Sequence, residues 1–105
     1  MYQVSRNTKG NIYLLLGDNG LFKIGTTNRD PYKRIWEITH YSGIGIIAFD
    51  YAQVDNMREE ERKLHKKFRN KRIINEWFCL NNEELKYIMV DFYNKKQLYT
   101  EEEGT

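Results

Sequence analysis

Five consecutive apolar residues, Ile12-Tyr13-Leu14-Leu15-Leu16, lead directly into Gly17-Asp18-Asn19-Gly20 and then Leu21-Phe22-Lys23-Ile24-Gly25. No other feature limits the fold of this chain so tightly. A strand with one face in water alternates apolar and polar residues, so an unbroken apolar run fits a strand covered on both faces. Gly-Asp-Asn-Gly is turn chemistry, and the short apolar segment after it reads as a second strand. The chain therefore begins its fold with a β-hairpin that needs cover from both sides. At 105 residues there is room for one domain with a small core. The 40% hydrophobic and 14% aromatic content is enough to build that core and excludes a disordered linker.

The rest of the chain supplies the cover. Asp30-Pro31 opens a helix, with Asp as N-cap and Pro in the first helical position. It should run to about Thr39 and end before Ser42-Gly43. Residues 46–51, apolar but for Asp50, form a third strand. Asp55 or Asn56 caps a second helix through about Phe68, and Glu59 is placed to complete a capping box with Asn56. A basic loop, residues 69–72, precedes a short strand over 77–80. The last helix starts at Asn81, with Leu85, Ile88, Met89 and Phe92 at i, i+3, i+4 and i+7. The order ββαβαβα predicts α/β or α+β: a small mixed β-sheet with an N-terminal hairpin, flanked by three helices. The domain should span residues 10–98, between a flexible polar segment at 1–9 and an acidic tail at 99–105.

Charge narrows the function classes. Seventeen Lys and Arg face fifteen Asp and Glu, but three of the acids are Glu101 to Glu103. Setting those three aside leaves seventeen against twelve, a moderately basic +5. A single cysteine, Cys79, excludes an internal disulfide framework and a Cys-based zinc site, which suits a reducing compartment. No run approaches the ~20 apolar residues of a membrane span, and residues 1–9 are unlike a signal peptide. The expectation is a cytoplasmic protein without a membrane partner.

Three features depart from an ordinary helix-and-sheet pattern. Met57, Leu64 and Phe68 form the apolar stripe of the second helix, and Glu61 falls on that stripe, four after Met57 and three before Leu64. A carboxylate there is costly unless paired, hydrogen-bonded or bound to a cation. The ordinary explanation is a stripe-edge acid bridged to an Arg; the sharper one is a functional acid. His65 follows Glu61 at i+4 and could share a metal or a hydrogen bond with it. Residues 58–72 hold eight Lys or Arg against three Glu, usually a solvated face but also a match for a phosphate backbone. Tyr32, Trp36, Tyr41 and Trp77 could stack on bases, although aromatics in so small a chain are more often core.

Lys23 and Tyr13 are the third feature, each interrupting an apolar strand. A four-residue loop at 17–20 would place them on opposite faces of the hairpin. A three-residue loop, Asp18-Asn19-Gly20 with Gly20 in the left-handed position, would put Tyr13, Leu15, Lys23 and Gly25 on one face.

Asn11-Ile12-Tyr13, then Phe22-Lys23-Ile24-Gly25-Thr26-Thr27, Lys33-Arg34, Glu61-Arg62-Lys63-Leu64-His65-Lys66-Lys67-Phe68 and Glu76-Trp77-Phe78 occur in that order. Together they resemble the GIY-YIG nuclease superfamily, and more closely its phage and viral branch, in which KIG replaces YIG. The resemblance covers about residues 10–80. It departs from the family pattern at Asn11, where the Gly of GIY is expected, and at Lys23, where the second Tyr is expected. A lysine cannot relay a phenolic proton, but it could contact phosphate or lower the pKa of Tyr13.

The resemblance implies a metal-dependent endonuclease that hydrolyses phosphodiester bonds in DNA, with RNA an open alternative. Tyr13 then activates water, Arg34 steadies the phosphate, and Glu61 holds one Mg²⁺ or Mn²⁺, which an apo structure need not contain. Lys23 and His65 complete the implied catalytic group. Thr26, Lys33, Lys63, Lys67, Arg72 and Asn75 are the implied nucleic-acid contacts. The protein should be a monomer or weak homodimer. The competing reading keeps the fold but not the catalysis: a weak or inactive nucleic-acid-binding or protein-interaction module.

Overall fold

The hairpin closes through the three-residue loop. In the computed structural model, which describes residues 9–104, the Gly17 N–H donates to the Leu21 carbonyl at 2.9 Å. Gly20 takes φ +81°, the left-handed conformation in which a glycine carries no Cβ penalty. Strands β1 (Gly10–Gly17) and β2 (Phe22–Thr27) then pair antiparallel, with Tyr13 opposite Gly25 and Leu15 opposite Lys23. Directly opposed residues share a face, so Tyr13, Leu15, Lys23 and Gly25 lie together, as the Asp-Asn-Gly loop requires.

The chain continues as α1 (Pro31–Ser42), β3 (Ile46–Val54), α2 (Met57–Lys67), a 3₁₀ turn at Arg69–Lys71, β4 (Arg72–Ile74), β5 (Trp77–Phe78) and α3 (Asn82–Gly104). The five strands form one sheet in the order β3-β1-β2-β5-β4, and every pairing is antiparallel. Helix α1 carries the chain past β2 to the far side of β1, so the crossover creates no parallel pair. The class is α+β. Strand β4 begins at Arg72, the last residue of the expected basic loop, and covers a stretch to which the sequence assigned no element. Its three residues, Arg-Ile-Ile, are all exposed and carry no alternation that could announce a strand.

The caps follow the sequence. The Asp30 carboxylate accepts the Tyr32 N–H at 3.0 Å, and Gly43 in the left-handed conformation ends α1 after Ser42, three residues beyond Thr39. Asn56, not Asp55, caps α2, accepting the Glu59 N–H at 3.1 Å. Glu59 turns its own carboxylate to Arg62, so that box is half formed. The reciprocal box is at α3: Asn81 and Glu84 exchange two hydrogen bonds of 2.8 Å. Helix α3 runs on through the acidic stretch to Gly104. The flexible N-terminal segment expected at 1–9 lies outside the described residues except for Lys9.

Each face of the sheet carries its own core. Helices α2 and α3 cover the face built from Ile12, Leu14, Ile24, Ala52, Val54 and Phe78, meeting it with Met57, Leu64, Phe68, Ile88 and Phe92. Phe78 packs against the α3 stripe, and Met89, on the same predicted stripe, stays half exposed. Helix α1 alone covers the other face, where Tyr13, Leu15, Ile38 and Trp77 form a smaller cluster. Among the described residues no helix is long and apolar enough to cross a membrane.

Candidate active site

The site starts from a glycine. A Cβ added at Gly25 would sit 2.4 Å from the Tyr13 hydroxyl oxygen and 2.5 Å from the carbon that bears it. The phenol therefore lies across Gly25, in space that only a glycine leaves free. The Tyr13 ring is almost wholly buried, at 1% exposure. Helix α1 brings Arg34 to it, with the guanidinium within hydrogen-bonding reach of the phenol oxygen. Arg34 is also held by Glu37 at 3.3 Å, and Glu37 in turn accepts both terminal nitrogens of Arg29.

Just beyond Lys23 the outer side of β2 loses its neighbouring strand. Strand β5 pairs with β2 only at Phe22 and Lys23, and the Ile24 N–H makes one further bond, to the Glu76 carbonyl at 3.1 Å. The Ile24 carbonyl would be left without a strand partner. His65 supplies one, its Nε2–H donating at 2.8 Å. That bond also pins α2 against the free edge of β2. One turn earlier on the same helix, Glu61 meets this edge and accepts the Thr26 hydroxyl at 3.3 Å. His65 is thus a positioning residue for Glu61, whose carboxylate is 3.8 Å away.

Glu76 joins the two halves. It sits in the β4–β5 turn, its carboxylate 3.1 Å from Lys23 Nζ and within hydrogen-bonding reach of Glu61. The Lys23 ammonium also lies 5.6 Å from the centre of the Trp77 ring. Tyr13 and Lys23 approach from the α1 face of the sheet, while Glu61 and Thr26 belong to the α2 face. They meet around the edge of β2, not on one concave face.

The electrostatics follow from this crowding. Burial pushes the Tyr13 phenol up to about 12; the Glu76 charge adds to the rise, and Arg34 opposes it. The phenol is thus raised, not lowered as a lysine at position 23 could have made it; the Lys23 ammonium lies 3.1 Å from the Glu76 carboxylate. Glu61 is raised above the usual carboxylate range, first by burial and then by the Glu76 charge, with His65 and Thr26 opposing. The acid that broke the α2 stripe is therefore not neutralised by an arginine; its partners are a hydroxyl, an imidazole and a second acid.

The structure thus brings together Tyr13, Lys23, Arg34, Glu61, His65 and Thr26, and adds Glu76, which the motif Glu76-Trp77-Phe78 only hinted at: a charge set before two buried aromatics. The remaining predicted contacts do not join them. Lys33 is exposed on α1. Lys63 and Lys67 lie on the flank of α2 toward α3, Lys63 beside Glu60, which also bridges Lys95, and Lys67 4.4 Å over the Tyr87 ring. Arg72 and Asn75 are exposed in the β4–β5 hairpin, Asn75 at φ +51°. Among the described residues Arg58, Lys66, Lys67, Arg69 and Arg72 have no acidic partner, so the uncompensated charge of the basic stretch lies on these five, Lys67 meeting only aromatic rings. Of the aromatics considered for stacking, Trp77 is core, while Tyr32, Trp36 and Tyr41 are 59%, 62% and 80% exposed.

Compared with known protein families, residues 10–92 match the T5orf172 domain. No curated protein and no solved structure matches the chain.

Proposed function

The chain belongs to the T5orf172 domain family, and on that footing we propose that it is a metal-dependent endonuclease of the GIY-YIG type acting on DNA. The observation that carries this reading is the convergence of Tyr13, Arg34 and Glu61, from three separate elements, on the stretch of β2 whose outer side, away from β1, has no strand. A structural core has no use for a half-covered acid pair next to a buried phenol and an arginine.

The donor set fits a hard divalent cation. Glu61 and Glu76 carry carboxylates within reach of each other, and Thr26 adds a hydroxyl. No cluster of three or more His, Cys, Asp or Glu side chains that could hold a metal occurs among the described residues, so water and substrate oxygens would fill most of the shell. Bound there, Mg²⁺ or Mn²⁺ would offset the charge that develops as the phosphodiester breaks. Arg34 has N–H donors beyond those directed at Tyr13 and Glu37, in the fork geometry that suits phosphate. With its pKa near 12, Tyr13 is a neutral phenol at pH 7, not a standing phenolate. It orients the attacking water and passes a proton from it toward a carboxylate as the bond to phosphorus forms. Lys23 holds the Glu76 carboxylate in place.

The test is cleavage of supercoiled DNA with Mg²⁺ or Mn²⁺. Glu61→Gln should lower the rate by about 10²-fold or more, while DNA binding stays equal or tightens slightly as a negative charge near phosphate is removed. Arg34→Ala should weaken both steps, because it contacts phosphate before and during the reaction. Cleavage by Glu61→Gln at the native rate would sink the proposal and favour the inactive module.

A further inference from the structure

The β4–β5 hairpin leaves two isoleucines in water beside the site. Ile73 is 61% exposed and Ile74 58%, on a three-residue strand at the margin of the sheet. The pairing register shifts between Arg72 and Ile74, so Ile73 is the extra residue of a β-bulge. Bulges turn a side chain out of the regular ladder, and they recur next to active sites. The hairpin itself is fixed: Ile74 is opposite buried Trp77, and the Glu76 carbonyl accepts the Ile24 N–H. The apolar tip therefore stands at a set position, two residues from the carboxylate that completes the site.

Its surroundings indicate the partner. Arg69 and Arg72, just before the isoleucines, have no acidic partner among the described residues, and Lys71 is tied to Glu84. The one acid of the hairpin, Glu76, is engaged by Lys23. An apolar tip framed by uncompensated cations is poorly matched to an apolar protein groove and well matched to a duplex, with phosphates outside and base edges within. Tyr13 is buried and the Glu61 side chain is only 23% exposed. A phosphate on a smooth duplex has to protrude to reach them.

We propose that Ile73 and Ile74 form a wedge that enters the minor groove of duplex DNA and partly unstacks a base step beside the scissile phosphate, with Arg69 and Arg72 on the flanking phosphates. The proposal rests on the endonuclease reading and specifies its substrate as a deformed duplex. The kink produced by unstacking presents the backbone to Arg34 and Glu61.

The experiment uses the full chain and a mixed-sequence duplex carrying 2-aminopurine, in EDTA so that nothing is cut. Binding by the native protein should raise 2-aminopurine fluorescence. The Ile73→Ala, Ile74→Ala double variant should lose most of that rise and bind about three- to tenfold more weakly; Ile73→Met, Ile74→Met should restore it. Arg72→Ala should keep the rise at saturation, bind more weakly and reduce the salt dependence by about one phosphate contact. A native complex without a fluorescence rise overturns the wedge, as does a double alanine variant that matches the native protein in rise and affinity. In either case continued Mg²⁺-dependent cleavage leaves the endonuclease reading standing. Absence of any DNA binding by the native protein overturns both.

Discussion

The two hairpins of this sheet are built on opposite terms. In β1–β2 every residue from Asn11 to Leu16 has a partner, and Ile12, Tyr13, Leu15 and Ile24 are all at or below 1% exposure. In β4–β5 two residues pair on either side of a bulge, and all of β4 is exposed. Yet each gives the site something the other could not. The first supplies Tyr13 and the glycine beneath it, a fit that tolerates no movement. The second supplies Glu76, a carboxylate shared between Lys23 and Glu61, on an element with little ladder to hold it. The group that needs a fixed position sits on the stiff hairpin, and the group with two partners sits on the slight one.

The largest test of that contrast is Phe78. It is the fully buried anchor of the slight hairpin, packed with Ile88 and Phe92. Phe78→Ala should cost about 3–5 kcal/mol, read as a fall in the denaturation midpoint. A loss below about 1 kcal/mol would mean that β4–β5 is held by its backbone pairing, and the contrast would fail.

Next comes the buried phenol. Below pH 10 Tyr13 is neutral whether the chain is folded or unfolded, so it adds nothing to the pH dependence there. Between pH 10 and about 12 the unfolded chain has released this proton and the folded chain keeps it. The unfolded state is then favoured, and stability should fall by about 1.4 kcal/mol per pH unit across that window. Tyr13→Phe removes this component while the other tyrosines titrate as before. The difference between the two stability curves should be flat up to pH 10 and sloped above it. A difference that stays flat to pH 12 would show that the phenol is not held in its neutral form.

Gly25→Ala follows. The added methyl meets the Tyr13 ring, and overpacking of this kind costs about 1–3 kcal/mol. Combined with Tyr13→Ala it should be non-additive, the pair being less destabilised than the sum by about the same amount. Cleavage should be lost in both single variants, because either one displaces the phenol.

These residues also show what the sequence made legible. The hairpin register was readable, because Asp18-Asn19-Gly20 is specific turn chemistry and a one-residue change in the loop would send Lys23 to the other face. Glu61 was readable as an acid out of place on an apolar stripe. Glu76 is legible only as the charged member of Glu76-Trp77-Phe78, the one apt to face a cleft; that its turn abuts the edge of β2 depends on β5 ending after two residues, a tertiary fact. The spacing of His65 from Glu61 suggests a shared metal or hydrogen bond, and the resemblance alone implies a catalytic role. Its hydrogen bond to the Ile24 carbonyl becomes visible only once the outer side of β2 is known to lose its strand there. Lys63 and Lys67 stood in a basic run whose two flanks look alike in sequence. The Glu60 carboxylate and the aromatic ring of Tyr87 place these two on the flank toward α3.

The smallest effects compare the turns directly. Gly20 at φ +81° and Asn75 at φ +51° hold the left-handed position of their hairpins, and a Cβ at Gly20 would meet nothing within 4 Å. The cost of Gly20→Ala is therefore conformational alone, about 1–2 kcal/mol. Asn75→Ala should cost about 1 kcal/mol or less, since asparagine already bears part of that strain while its side chain tolerates the region better than a methyl does. Asn75→Gly should change stability by no more than a few tenths of a kcal/mol, urea unfolding keeping the same slope. If Asn75 serves only to turn the chain, the glycine variant will also cleave DNA at the native rate. Should it fold as well as the native chain but cleave more slowly, the amide belongs with Glu76 in the chemistry, and the slight hairpin contributes two groups to the site instead of one.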